Sequence, residues 1–247
     1  MKAAENDAAT LQEHITRTYL DLRVGIGVIG AALPVLLWLG GQVRDHRSLL
    51  SSMSAYYYSP AMRDTFVGAL VSIGVFLYLY KGFSTKENWA LNMAGAFAIG
   101  VAMVPTTSPS EVHSLRSTVH DTFAVLFFLC IAYVSIFRAA DTLSLIRDTR
   151  KAEKLRAIYR LLGTGMVVSP LLAVVLTFTL QHATQERSLQ FFVEAIAVWI
   201  FAAYWLVKSG EMRATDAERL ALQGKLQAAP ALETAKVAPG RLVQIEP

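Results

Sequence analysis

Six stretches of this chain are long, apolar and nearly free of charge: approximately residues 22–41, 60–80, 89–105, 119–137, 161–181 and 188–207. A hydrocarbon core about 30 Å thick takes roughly 20 helical residues to cross. A backbone in lipid must pair its own polar groups, so such stretches are predicted to be helices. The strict alternation of a membrane barrel strand is absent. The predicted fold is therefore all-α, a polytopic transmembrane bundle of six helices.

Composition agrees. Hydrophobic residues make up 54% and charged ones 17%, against roughly 25% charged in an average soluble domain. The charges gather in the tails and connections, which is how a membrane protein distributes them. The net charge of +4 sits beside the spans, so it argues for no nucleic-acid partner. Cys130 is the only cysteine, which excludes an internal disulfide and a cysteine-built zinc site. The first 20 residues carry Glu5, Asp7 and Glu13 and do not read as a cleaved signal peptide.

Lysine and arginine counts orient the bundle, because basic residues are retained on the cytoplasmic side. With the N-terminus inside, the inner segments hold 18 of them and the outer connections 5, namely Arg44, Arg47, Arg63, Arg116 and Arg187. Both termini are predicted to be cytoplasmic. Residues 1–21 form an N-terminal segment, 22–208 the membrane domain and 209–247 a tail, with Pro230, Pro239 and Gly240 predicting partial disorder. The expected location is the plasma (inner) membrane, and the expected partners are membrane lipids. The basic run from Arg147 to Arg160 suits either anionic head groups or the orientation signal alone.

Local signals mark several helix ends. Ser59-Pro60 reads as a cap and first-turn proline. Ser108-Pro109-Ser110-Glu111 and Thr118-Val119-His120-Asp121 both have capping-box spacing. Pro34 and Pro170 are predicted to kink the first and fifth spans. Gly25, Gly27, Gly30, Gly95, Gly100, Gly163 and Gly165 read as close helix contacts. Trp38, Trp89, Trp199, Trp205 and Tyr56-Tyr57-Tyr58 read as interfacial rings.

Four of the five histidines, His46, His113, His120 and His182, fall on the predicted outer side. Asp64, Asp121 and Glu194 lie near the outer starts of three spans. Carboxylates favour helix N-termini through the macrodipole, which accounts for Asp64 and Asp121 as readily as a site does. Glu194 lies deeper, between Phe191-Phe192-Val193 and Ala195-Ile196-Ala197. An ionisable group at that depth is costly and ordinarily faces a polar interior. Asp64, His120, Asp121 and Glu194 are thus the candidate ligand-binding set.

The segments Ser51-Ser52-Met53-Ser54-Ala55-Tyr56-Tyr57-Tyr58, Met62-Arg63-Asp64 and Gly100-Val101-Ala102-Met103-Val104-Pro105-Thr106, with His120 and Glu194-Ala195-Ile196-Ala197-Val198-Trp199, resemble a bacterial family of six-helix membrane proteins. That resemblance implies a fold and no activity. Six spans with inward termini are also similar to the Frag/DRAM/Sfk-like membrane proteins, which implies a link to lipid organisation. The outward serine, histidine and aspartate inventory resembles the ceramidase-and-progestin-receptor membrane metallohydrolases, although their seventh span and His-x-x-x-His pair are missing.

Two functions remain open at this point. One is a pocket for a lipid head group, small ligand or ion. The other is a membrane metallohydrolase acting on lipid-like substrates, with zinc on His120 and His113 or His182, Asp64 or Asp121 as a further ligand, and Glu194 as general base.

Overall fold

A computed structural model describes residues 2–46, 48–106, 115–179, 189–224, 226–228 and 242–244. The fold is all-α. Its helices are α1 (Lys2–Arg44), α2 (Arg63–Leu79), α3 (Thr85–Met103), α4 (Leu115–Tyr133), α5 (Thr149–Thr179), α6 (Leu189–Thr215) and the short α7 (Ala217–Leu222). A 3₁₀ helix over Ser54–Tyr58 precedes α2. A π turn (Val134–Arg138) and a 3₁₀ stretch (Ala139–Leu145) extend α4.

Each of α1 to α6 packs on its sequence neighbours, and α1 packs on α6, so the ring closes. Four helical segments are long and apolar enough to cross a membrane: Thr10–Arg44, Leu115–Leu145, Thr149–Leu176 and Leu189–Thr215. The exterior is studded with exposed Val35, Leu36, Leu39, Val75, Leu171 and Val175. Apolar surface on that scale marks a face that meets something other than water.

Several local expectations are refined. α1 is one helix of 43 residues, about 65 Å by helix rise and twice the hydrocarbon thickness. The polar N-terminal segment belongs to the same continuous helix. Pro34 and Pro170 lie inside α1 and α5, which run through them. Ser59 does cap its turn, but one turn ahead of α2 proper: its hydroxyl accepts Met62 N–H at 3.1 Å and its carbonyl accepts Arg63 N–H. Thr118 lies within α4, so Thr118–Asp121 is helix interior and not a cap. The box at Ser108–Glu111 lies outside the described residues. Ser84 and Glu87 form a further cap, at the start of α3. Ser84 Oγ accepts Glu87 N–H at 3.2 Å, and Glu87 Oε2 accepts Phe83 N–H at 2.9 Å.

Trp205 is not an interfacial anchor. It is 1% exposed and packs edge-on against Tyr80, Phe201 and Tyr204. Tyr56 is likewise buried, against Phe191. In the C-terminal tail, Leu242–Gln244 pairs antiparallel with Leu226–Ala228.

Hydrogen bonds hold the two ends of the bundle. At one end His46, with φ of 50°, takes the left-handed conformation that commonly terminates a helix. Asp45 then reaches across to the turn that precedes α2, accepting Ala61 N–H at 3.2 Å and the Ser59 hydroxyl. Asp45→Ala is expected to destabilise the protein by about 1–2 kcal/mol, the scale of a lost cap. Thermal unfolding in detergent measures this, and an unchanged midpoint would show that the clamp carries no load.

Candidate functional site

The loop between α1 and α2 folds over the same end of the bundle. Its backbone is tied to α6 by Phe191 N–H donating to the Ser51 carbonyl at 2.9 Å. Ser52 Oγ accepts Ala55 N–H at 3.0 Å and starts the 3₁₀ helix. This places Ser54 between α3, α4 and α6.

Glu194, half-buried on the second turn of α6, accepts Met53 N–H at 2.8 Å. Its other oxygen accepts from Gln190 Nε2 at 3.0 Å. The carboxylate thus meets a backbone donor that the turn into a short helix leaves free. This explains how an acid is tolerated at that depth.

His120 is 2% exposed on α4. Its Nδ1 lies 2.6 Å from the Val104 carbonyl at the end of α3, and its Nε2 lies 2.9 Å from Ser54 Oγ. A carbonyl oxygen only accepts, so in the neutral ring Nδ1 carries the hydrogen and Nε2 is the acceptor. The Ser54 hydroxyl therefore donates to His120. Both ring nitrogens are engaged, and a metal could bind His120 only by displacing one of these partners.

Below these groups lies a cavity of about 120 Å³, several times the roughly 10–15 Å³ that one water needs on that measure. All six long helices line it. Its polar side chains are Ser54, His120, Asp121, Gln190 and Glu194; Leu33, Phe66, Val101, Phe127 and Val174 are among the apolar ones. Three of the four predicted ligand residues, His120, Asp121 and Glu194, are thus brought to one space. Asp64 is not. It is exposed on the first turn of α2, where the macrodipole accounts for it.

His113 and His182 lie outside the described residues, as do Glu111 and Glu186. Among the described residues, no three His, Cys, Asp or Glu side chains group as metal ligands. His46 is exposed in its loop.

A second polar cluster, at the opposite end, was not anticipated. Lys208 Nζ donates to the Ala139 carbonyl at 2.8 Å, Thr142 Oγ1 at 2.7 Å and Glu211 Oε2 at 3.0 Å. Glu211 also accepts the hydroxyls of Thr142 and Tyr159. Arg23, fully buried, pairs with Glu218 of α7 and faces the Tyr80 ring. The usable signal was spacing: Tyr204, Lys208 and Glu211 follow Ala197 and Phe201 along one helical face.

No family profile, curated protein or solved structure matches this chain.

Proposed function

We propose that α1 to α6 all cross a plasma membrane with both termini cytoplasmic, and that the cavity binds a single-chain amphiphile from the outer side. α2 and α3 are 17 and 19 residues long, about 25–28 Å by helix rise. That is close to the hydrocarbon thickness, and neighbouring helices that span fully would carry them across. The hydrogen bonds at the two ends fit alternating directions. Asp45 to Ser59, His120 to Val104 and Glu194 to Met53 lie at one end. Arg23 to Tyr80 and Lys208 to Ala139 lie at the other. The second end carries the basic excess, which favours the cytoplasm for it.

The observation that carries the binding reading is the character of the cavity's lining. Apolar walls surround the space, and its five polar side chains include two carboxylates, a hydroxyl and an amide. Such sites place a few polar groups to orient a mostly apolar ligand. Acyl chain against the walls and a hydroxyl-bearing head at the polar groups is the arrangement this favours.

Purified protein in detergent is expected to bind a monoacylglycerol carrying pyrene on its acyl chain, read by energy transfer from tryptophan. Ala124 lines the cavity, and Ala124→Phe, which adds a ring to that wall, is expected to weaken binding at least tenfold. Absence of saturable binding to the unaltered protein, or full binding by that variant, would overturn the reading.

A further inference from the structure

We propose that Ser54 and His120 are a nucleophile and general base that cleave an acyl ester held in the cavity. Three observations carry this. The Ser54 hydroxyl donates to His120 Nε2 at 2.9 Å, within the reach a base needs for the proton it removes. The Val104 carbonyl holds Nδ1 at 2.6 Å, which fixes the ring and its tautomer as the third group of a triad does. Both Ser54 and His120 line the cavity.

The bond from Ser54 to His120 links residues 66 positions apart, and it is not needed to satisfy the loop backbone. Ser52 and Glu194 already do that. A purely structural histidine would be served by the Val104 carbonyl and any donor. Here the donor is a half-buried hydroxyl lining an apolar space.

The reaction balances with water as the only co-reactant. Ser54 Oγ bonds to the ester carbonyl carbon as its proton passes to His120 Nε2. The bond from that carbon to the alcohol oxygen breaks, and the alcohol leaves with the proton from His120. Water then attacks the acyl-serine, giving a proton to Nε2. The bond to Ser54 Oγ breaks, and Oγ takes that proton back. The products are a fatty acid and an alcohol. Gln190, also in the lining, uses one amide hydrogen on Glu194 and has a second, to which the proposal assigns the developing oxyanion. The Val104 carbonyl is a positioning group, holding the ring through Nδ1.

The inference rests on the cavity accepting an acyl chain, so the test separates the two. The full chain in detergent is treated with a biotinylated alkyl fluorophosphonate, and the modified residue is mapped by peptide mass spectrometry. Labelling is expected at Ser54 in the unaltered protein, which makes the result independent of how variants fold. Ser54→Ala is expected to lose the label, while the unaltered protein both labels and binds the pyrene monoacylglycerol. His120→Asn is expected to label at least a hundredfold more slowly, the lower end of what a positioned base supplies. Pyrene binding without any label at Ser54, or wild-type labelling of His120→Asn, would overturn the catalytic proposal and leave the binding site standing. Loss of both binding and label in the unaltered protein would remove the pocket as well.

Discussion

Replacing Lys208 with methionine is expected to destabilise the protein by about 3–5 kcal/mol, the usual cost of leaving one member of a buried pair alone. Lys208 is 3% exposed and so is Glu211. The ammonium meets three oxygens. Without it, among the described residues, Glu211 keeps only the hydroxyls of Thr142 and Tyr159, and its charge has no counter-ion in contact there. Glu211→Leu is expected to cost a similar amount for the mirror reason. The double variant is expected to cost less than the two singles added together, because removing both charges also removes the desolvation each imposed. For a chain of this size, 1 kcal/mol moves the unfolding midpoint by about 2–4 °C. The single variants are thus expected to melt roughly 6–20 °C lower, measured by thermal unfolding in detergent. Midpoints within about 2 °C of the unaltered protein, or strictly additive losses, would show that the pair is not a unit.

This pair also shows where a sequence stops being informative. Hydropathy marks helices because apolar character is a property of contiguous residues, and the four long apolar segments were legible for that reason. Lys208 and Glu211 follow the last apolar stretch, where basic residues are expected anyway. Their burial depends on Ala139 and Thr142, which lie 69 and 66 positions from Lys208. No local pattern contains that fact.

The cavity site divides along the same line. Glu194 stood out because its apolar neighbours advertise its depth. His120 stood out by residue type. Its partners did not: Val104 contributes a carbonyl, which every residue has, and Ser54 was one hydroxyl among several. Asp64 satisfied the same pattern as Asp121, yet faces outward from α2. Helical phase separates the cavity from the exterior, and α2 starts just after the Asp45 and Ser59 clamp, which lies outside the apolar helix itself.

Among the described glycines, Gly95→Ala is expected to be the most damaging, because it brings a methyl group closest to a neighbouring main chain. A Cβ on Gly95 would lie 2.5 Å from the Gly74 carbonyl oxygen and 3.3 Å from Tyr78 N, and one on Gly74 would lie 2.7 Å from the Gly95 carbonyl oxygen. The two glycines therefore face each other, and α2 and α3 touch backbone to backbone. The obstacle is main chain in both directions, so no rotamer change relieves it; the helices themselves must separate. In the bilayer placement proposed above, little hydrophobic gain would draw them together again, since close packing is itself what holds membrane helices in contact. Overpacking in well-packed cores costs about 1–3 kcal/mol, and a loss at or above the top of that range is expected here. Gly68 provides the control. It lies in α2, as Gly74 does, but a methyl group added there would meet nothing within 4 Å. Alanine at Gly68 is expected to be neutral or to stabilise by up to about 1 kcal/mol through helix propensity. Both substitutions add the same methyl group to a helix interior, and only one of them drives it into a neighbouring backbone. Equal unfolding midpoints for Gly68→Ala and Gly95→Ala would mean that α2 and α3 do not meet at this crossing.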